Sequence, residues 1–152
     1  MRPALLVVGL GLATACSPAG GEPGTDPASL VVTTATASVE LTVEVADTPE
    51  DRATGLMWRE ELSPYDGMAF VWTEPTDATF WMKNTLIPLS IAFWDQEGRI
   101  VRILDMEPCG SGSCPRYAAR TPIVGAVEVE QGLFDEHGIA VGDRVRFAEA
   151  TA

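Results

Sequence analysis

Ser38 to Ala46 alternates cleanly, with Val39, Leu41, Val43 and Val45 on one side and Glu40, Thr42 and Glu44 on the other. That period of two predicts a half-buried strand with one wet face, the pattern of an antiparallel sheet. Thr48-Pro49-Glu50-Asp51 predicts a helix start: Thr48 caps, Pro49 suits the first helical position, and the acids favour the positive helix end. The helix is expected to run to about Trp58, and Pro64 and Gly67 interrupt the chain beyond it. Met68 to Trp72 and Ala78 to Met82 read as strands joined by residues 73–77. Leu89 to Trp94 and Arg99 to Met106 flank Asp95-Gln96-Glu97-Gly98, a hairpin turn by its polar residues and closing glycine. Ile123 to Val129 reads as a further strand, and Gln131 to His137 as a short helix closed by Gly138. Gly142-Asp143 marks a turn before a last strand, Arg144 to Phe147, with Val145 and Phe147 expected inside.

Many short strands, few helical residues and no internal repeat predict a mainly-β chain. The expected architecture is a single compact β-sandwich or barrel-like domain over residues 31–149, with one or two short helices.

The segment before it reads differently. Met1-Arg2 is a short positive start, and Ala4 to Ala13 is an apolar run. The run is shorter than the about 20 residues a membrane span needs, and it suits the apolar core of a secretory signal. Ala13-Thr14-Ala15-Cys16 fits cleavage after Ala15, with Cys16 as the lipidated first residue of a bacterial lipoprotein. Cysteine arithmetic favours this: Cys109 and Cys114 lie together in one loop, and lipidation accounts for the odd Cys16. Residues 1–15 are thus expected as the signal peptide, and 16–30 as the lipidated cysteine and a flexible linker rich in Pro, Gly and small polar residues. The expected location is outside the cytoplasm, tethered to the bacterial cell envelope on its periplasmic side or at the cell surface.

Charge narrows the partners. Lys plus Arg number 10 and Asp plus Glu 22, a net charge of −12. Phosphates would be repelled, so no nucleic-acid partner is expected. An anionic lipid surface is disfavoured as well, which leaves an N-terminal lipid as the membrane contact. Hydrophobic residues at 46% and charged residues at 21% describe a globular chain.

Three strings carry a family resemblance: Arg52-Ala53-Thr54-Gly55-Leu56-Met57-Trp58-Arg59, Gly67-Met68-Ala69-Phe70-Val71-Trp72, and Phe80-Trp81-Met82-Lys83-Asn84-Thr85-Leu86-Ile87-Pro88-Leu89-Ser90-Ile91. Val127-Glu128-Val129, Gly132 and Gly142-Asp143 come after them in order. Over about residues 39–147 the chain resembles the family known as domain of unknown function 192. The resemblance implies a compact mainly-β domain, often exported, and no accepted activity. The family usually has Asp where this chain has Ser90, which weakens any catalytic role resting on that position.

Lys83 is the one lysine of the chain and lies among aromatic and apolar residues. Alternation puts it on the face of Trp81. Partial desolvation would make it a base, nucleophile or anion clamp; a structural pair with Glu128, Asp105 or Glu107, or a stem laid over Trp81, is the plainer role. Asn84 and Thr85 precede Pro88 and either orient a ligand or tie a turn to its own backbone. Arg52 and Arg59 are two helical turns apart and, with Lys83, either hold a carboxylate or sulfate or pair with surplus acids. Asp105 with Glu107, and Glu128 with Glu130, share a strand face, as an acid/base pair would.

Cys109 and Cys114 are expected to form a disulfide in an exported chain. Met57, Met68, Met82 and Met106 lie singly in apolar runs, which is core usage more than a copper site. No metal and no cofactor are expected. Trp58, Trp72, Trp81 and Trp94 either pack or stack on sugars, with Trp72 and Trp94 expected half-exposed at strand ends.

The function expected is a lipid-anchored envelope module that binds a small molecule or an envelope component, through candidate residues Lys83, Asn84, Thr85, Arg52, Arg59 and Glu128. One alternative is a hydrolase or transferase using Lys83 in a polar cleft. A second is a carbohydrate-binding module using exposed Trp.

Overall fold

The computed structural model describes residues 27–110 and 112–149. The segment expected to be a signal peptide, Cys16 and most of the expected linker lie outside the described residues. Strand β1 (Pro27–Thr33) begins inside the segment expected to be linker, so the domain includes residues ahead of the expected boundary at 31. It pairs with β2 (Ser38–Ala46) over their full facing lengths.

Seven strands form one sheet in the order β6-β5-β8-β3-β2-β1-β9. The others are β3 (Gly67–Thr76), β5 (Leu89–Trp94), β6 (Ile100–Met106), β8 (Ile123–Glu130) and β9 (Arg144–Phe147). A pair formed by β4 (Thr79–Phe80) and β7 (Tyr117–Ala118) stands apart from that sheet. The two helices are short: α1 (Pro49–Thr54) and α2 (Leu133–Glu136).

One pairing departs from the expected antiparallel pattern. β2 and β3 run parallel, which requires a crossover connection; residues 47–66, carrying α1, supply it. The outer edges meet through an antiparallel bridge between Arg99 and Arg144. Ile100 N donates to Asp143 O at 2.8 Å, and Val145 N donates to Gly98 O at 2.7 Å. The sheet therefore curls back on itself, in agreement with the barrel-like expectation.

Curling gives the sheet an inside and an outside, and both are apolar. All seven strands contribute to the inner cluster, among them Val32, Val43, Ala69, Trp94, Ile100, Val127 and Val145, joined by Phe134 of α2 and by Ile139. The outer cluster uses the opposite faces of β3, β5 and β8, with Phe70, Ile91, Phe93 and Ala126, and is covered by Leu56, Leu62, Phe80, Met82 and Ala119. Met68, Met82 and Met106 are buried in this outer core, which is the packing use of methionine.

Both faces being covered explains several departures from the sequence reading. Glu44 and Glu128 are 6% and 5% exposed rather than on a wet face. Trp94 is buried, not half-exposed, because its ring lies over Gly125 on the neighbouring strand. Phe147, expected inside, is exposed. The expected strand from Ala78 to Met82 shrinks to Thr79–Phe80, since these residues cover the sheet and do not extend it.

Helix α1 has the predicted cap, with Thr48 Oγ1 accepting from Asp51 N at 3.1 Å. It ends at Thr54, earlier than expected. Gly55, at φ +48°, turns the chain where it passes the Phe70 ring. The turn at 95–98 is as predicted, with Gly98 at φ +72° and its N–H donating to Asp95 O.

The Gly125 slot gives a direct stability test. A Cβ at that position would lie 2.0 Å from Cζ2 of Trp94, and the ring is enclosed by core. Gly125→Ala is expected to lower unfolding stability by about 1–3 kcal/mol, read from urea melts monitored by tryptophan fluorescence.

Candidate functional site

Outside the sheet, the cover is pinned at a few points. Phe80 of β4 meets Phe70, Phe93 and Trp72 edge-on, with ring centroids 5.1, 5.6 and 6.2 Å away. Edge-to-face contacts of this kind add about 0.5–1.5 kcal/mol each beyond burial. Arg102 Nη1 donates to Ala118 O at 2.6 Å, which holds β7. Trp58 N donates to Asn84 O at 2.7 Å, tying the segment after α1 to the segment after β4.

Between those pins the cover leaves a gap. A cavity of about 460 Å³ opens between α1 and β4 over the outer sheet face. Its walls are Arg52 to Met57 on one side and Ala78 to Trp81 on the other, with Phe70, Trp72, Thr85, Arg116 and Glu128 completing it. The size lies in the range of about 300–1,000 Å³ typical of small-molecule sites.

Glu128 sits on β8, paired across the sheet with Met68 and Ile91, both buried. Among the described residues it has no ion-pair partner. No buried side-chain polar atom is sealed away without a hydrogen bond, so the Glu128 carboxyl reaches the cavity. Desolvation by burial pushes its pKa up from 4.5 to about 8, since a lone carboxylate among apolar neighbours is better neutral. At neutral pH it is mainly a carboxylic acid, able to donate one hydrogen bond and accept others.

Glu44 offers the contrast. It occupies the same face two strands away, across Met68. Its carboxylate holds Arg59 in two contacts, Nη1 at 2.6 Å and Nη2 at 2.9 Å. Arg59 is thereby committed to Glu44, and it does not line the cavity. Because α1 stops at Thr54, Arg52 and Arg59 do not share a helix face as expected.

Arg52 does line the cavity. Its Nη1 donates to the carbonyls of Asp47 and Val71, and its guanidinium lies 5.1 Å from the centre of the Trp72 ring. Arg116, which the sequence reading passed over, lines the opposite side; its guanidinium carbon is 4.1 Å from the centre of Trp81. Its signal in sequence was slight: one arginine just after the disulfide loop.

The predicted trio at 83–85 is split. Thr85 is buried and lines the cavity. Asn84, at φ +59°, is the turn residue that receives the Trp58 N–H. Lys83 is exposed and outside the cavity lining, with Nζ 5.0 Å from the Trp81 ring centre. It is not paired with Glu128, and its stem-over-Trp81 placement is the plainer of the two readings. Ser90 Oγ donates to Asp105 Oδ1 at 2.6 Å and accepts from Gly132 N at 3.1 Å, a structural clasp at the start of α2. Glu107 accepts from Gln131. Cys109 and Cys114 form a disulfide, with Cα atoms 5.6 Å apart. The described residues contain no cluster of His, Cys, Asp and Glu fit for a metal, and no helix long and apolar enough to cross a membrane.

The raised pKa of Glu128 has a stability consequence. Between about pH 5 and pH 8 the folded protein keeps a proton that the unfolded chain has released. Stability contributed by this group is therefore full below pH 4.5 and lost as pH rises toward 8. Glu128→Gln removes that dependence. The variant is expected to gain stability relative to the native protein by up to about 1.4 kcal/mol per pH unit across this window, measured by urea unfolding at pH 5, 6, 7 and 8. Parallel curves for the two proteins would refute the buried neutral acid.

Among known proteins, none of curated function matches the chain. Similar solved structures include two crystal structures. A protein from Sinorhizobium meliloti 1021, described there as a proposed transcription regulator, shares 31% identity at a TM-score of 0.76, covering 84% of this chain and 98% of its own. A protein of unknown function from Novosphingobium aromaticivorans DSM 12444 shares 33% identity at a TM-score of 0.74, covering 86% and 89%. The family model for DUF192, "Uncharacterized ACR, COG1430", matches residues 30–147. With this match over most of the chain, and the same fold in two relatives, the protein belongs to the family of domain of unknown function 192.

Proposed function

We propose that this protein is a lipid-tethered binding module of the bacterial cell envelope that takes a small molecule in the cavity between α1 and β4. One observation carries the reading: a buried carboxyl, Glu128, with no ion-pair partner among the described residues, at an aromatic-lined cavity large enough for a ligand. Convergence of an apolar pocket, a few polar groups and a perturbed acid marks a ligand site. The tether is supported by the apolar run at Ala4–Ala13 and by Cys16 after Ala13-Thr14-Ala15.

The other readings have less support. An enzyme built on Lys83 and Glu128 lacks its geometry, since Lys83 stands outside the cavity. Sugar stacking needs paired open tryptophan faces, yet Trp94 is buried, Trp72 and Trp81 carry arginines, and Trp58, though 67% exposed, lies outside the cavity lining. The regulator description belongs to the Sinorhizobium protein. At a net charge of −12 this chain would repel a nucleic acid, and the proposed role involves none.

A thermal-shift screen of small organic molecules tests the cavity, run on the native protein and on Glu128→Leu. A ligand at a hundredfold excess over its Kd adds about 2.7 kcal/mol and should raise Tm by about 5 °C or more. Such hits are expected with the native protein and weakened in the variant. A library that stabilises both proteins equally, or neither, refutes the reading. The tether is tested separately: Cys16→Ser should move the protein from the membrane fraction to the soluble one. A protein that partitions identically with and without the substitution has no lipid at Cys16.

A further inference from the structure

The chain has 22 acids and 10 basic residues, so any cation has acids to pair with. Arg59 does so with Glu44. Among the described residues the other arginines and the lysine make no such pair, and three of them, Arg52, Arg116 and Lys83, stand at or beside the cavity. Arg52 and Arg116 stand over tryptophan rings that themselves wall the cavity, and Lys83 stands over the second of those rings.

A guanidinium drawn to a ring by its charge, with no carboxylate bound, still has N–H donors to offer a planar acceptor. Two of the bonds from Arg52 go to backbone carbonyls, which fixes its position and leaves other donors. Glu128 is the one acid in the lining, and its burial keeps it neutral near pH 7. The lining therefore holds two guanidinium groups against one acid, inside a strongly acidic protein.

From this geometry we infer that the ligand is a small organic acid: its anionic head sits between Arg52 and Arg116, its flat apolar body lies against Phe70 and Phe80, and a neutral oxygen at its far end bonds to Glu128 and Thr85. The inference rests on the binding-module reading and adds the chemical class. A carboxylate meets two donors on each arginine edge. The acid form of Glu128 supplies the donor for an oxygen at the other end. A cationic ligand would face two guanidinium charges in a lining whose one acid is Glu128.

Three probes sharing one ring separate the charge classes: 4-hydroxybenzoate, its methyl ester, and 4-hydroxybenzylamine. Binding is measured by calorimetry at pH 6.5, where the three are anionic, neutral and cationic. The anion is expected to bind at least tenfold tighter than the ester or the amine. Raising NaCl from 50 to 300 mM should weaken the anion severalfold and leave the ester unchanged. Arg116→Gln, at an exposed position, should cost the anion about tenfold and spare the ester, with an unchanged urea midpoint showing intact folding. Arg116→Lys should restore part of the loss.

Equal or tighter binding of ester or amine overturns the inference, and so does an anion indifferent to Arg116→Gln. If the ester or amine binds and depends on Glu128, the cavity remains a ligand site and the anionic class is wrong. Binding of none of the three also overturns the inference, and the library screen then decides the wider reading by itself.

Discussion

A sheet with apolar side chains on both faces has to exclude water twice, and the two faces do so by different means. The inner face closes on itself: seven strands curl until Arg99 meets Arg144, and Val32, Val43, Val127 and Val145 share one enclosed core. The outer face has no such partner. It is covered by pieces of chain too short to form a second full sheet, namely α1, the β4–β7 pair and the segments beside them. Everything proposed about function depends on that second, patchwork cover.

A patchwork is held by a few strong contacts and leaves space between them. Phe80, edge-on to three aromatic rings, fixes one margin of the gap. The hydrogen bond from Trp58 N to Asn84 O draws two cover segments together at another. Inside the barrel such a gap would be a packing defect, costing about 1 kcal/mol or more for each missing methyl group. At the outer face it opens to solvent and costs far less. Space for a ligand is therefore compatible with a stable core, because the two lie on opposite sides of the same strands.

Most of the strand framework was legible because a period of two is a local signal. The bounds of β2, β5 and β9 come from alternation or from a run of apolar residues between turn signals. β1 was hidden, because Pro27-Ala28-Ser29 continues a Pro- and Gly-rich stretch and becomes a strand through pairing with β2 and β9. Which acids are buried was not legible either. Glu44 and Glu128 each alternate with valines as wet-face residues would, and only the cover over that face makes them buried. Glu128 was singled out with the wrong partner, Lys83. Arg116 was missed because its position beside Trp81 comes from the β4–β7 pairing, a contact between residues far apart in the chain.

The pair of buried acids on the outer face separates what the fold needs from what it tolerates. Glu44 and Glu128 flank Met68 in one row of side chains, about 10 Å apart by strand spacing. Glu44 is held by Arg59 in two contacts, Nη1 at 2.6 Å and Nη2 at 2.9 Å. Among the described residues Glu128 has no such partner, and its burial favours retention of a proton. A leucine would satisfy packing at position 128 without that penalty, as apolar replacement of buried ionic groups often stabilises. The fold alone thus gives no reason for an acid there. What distinguishes position 128 from its apolar neighbours Met68 and Ile91 is that it opens onto the cavity, beside two arginines and a buried threonine hydroxyl. A carboxyl in that setting is useful as a hydrogen-bonding group presented to something that enters, which is why the site is placed at Glu128 and not at the lone lysine.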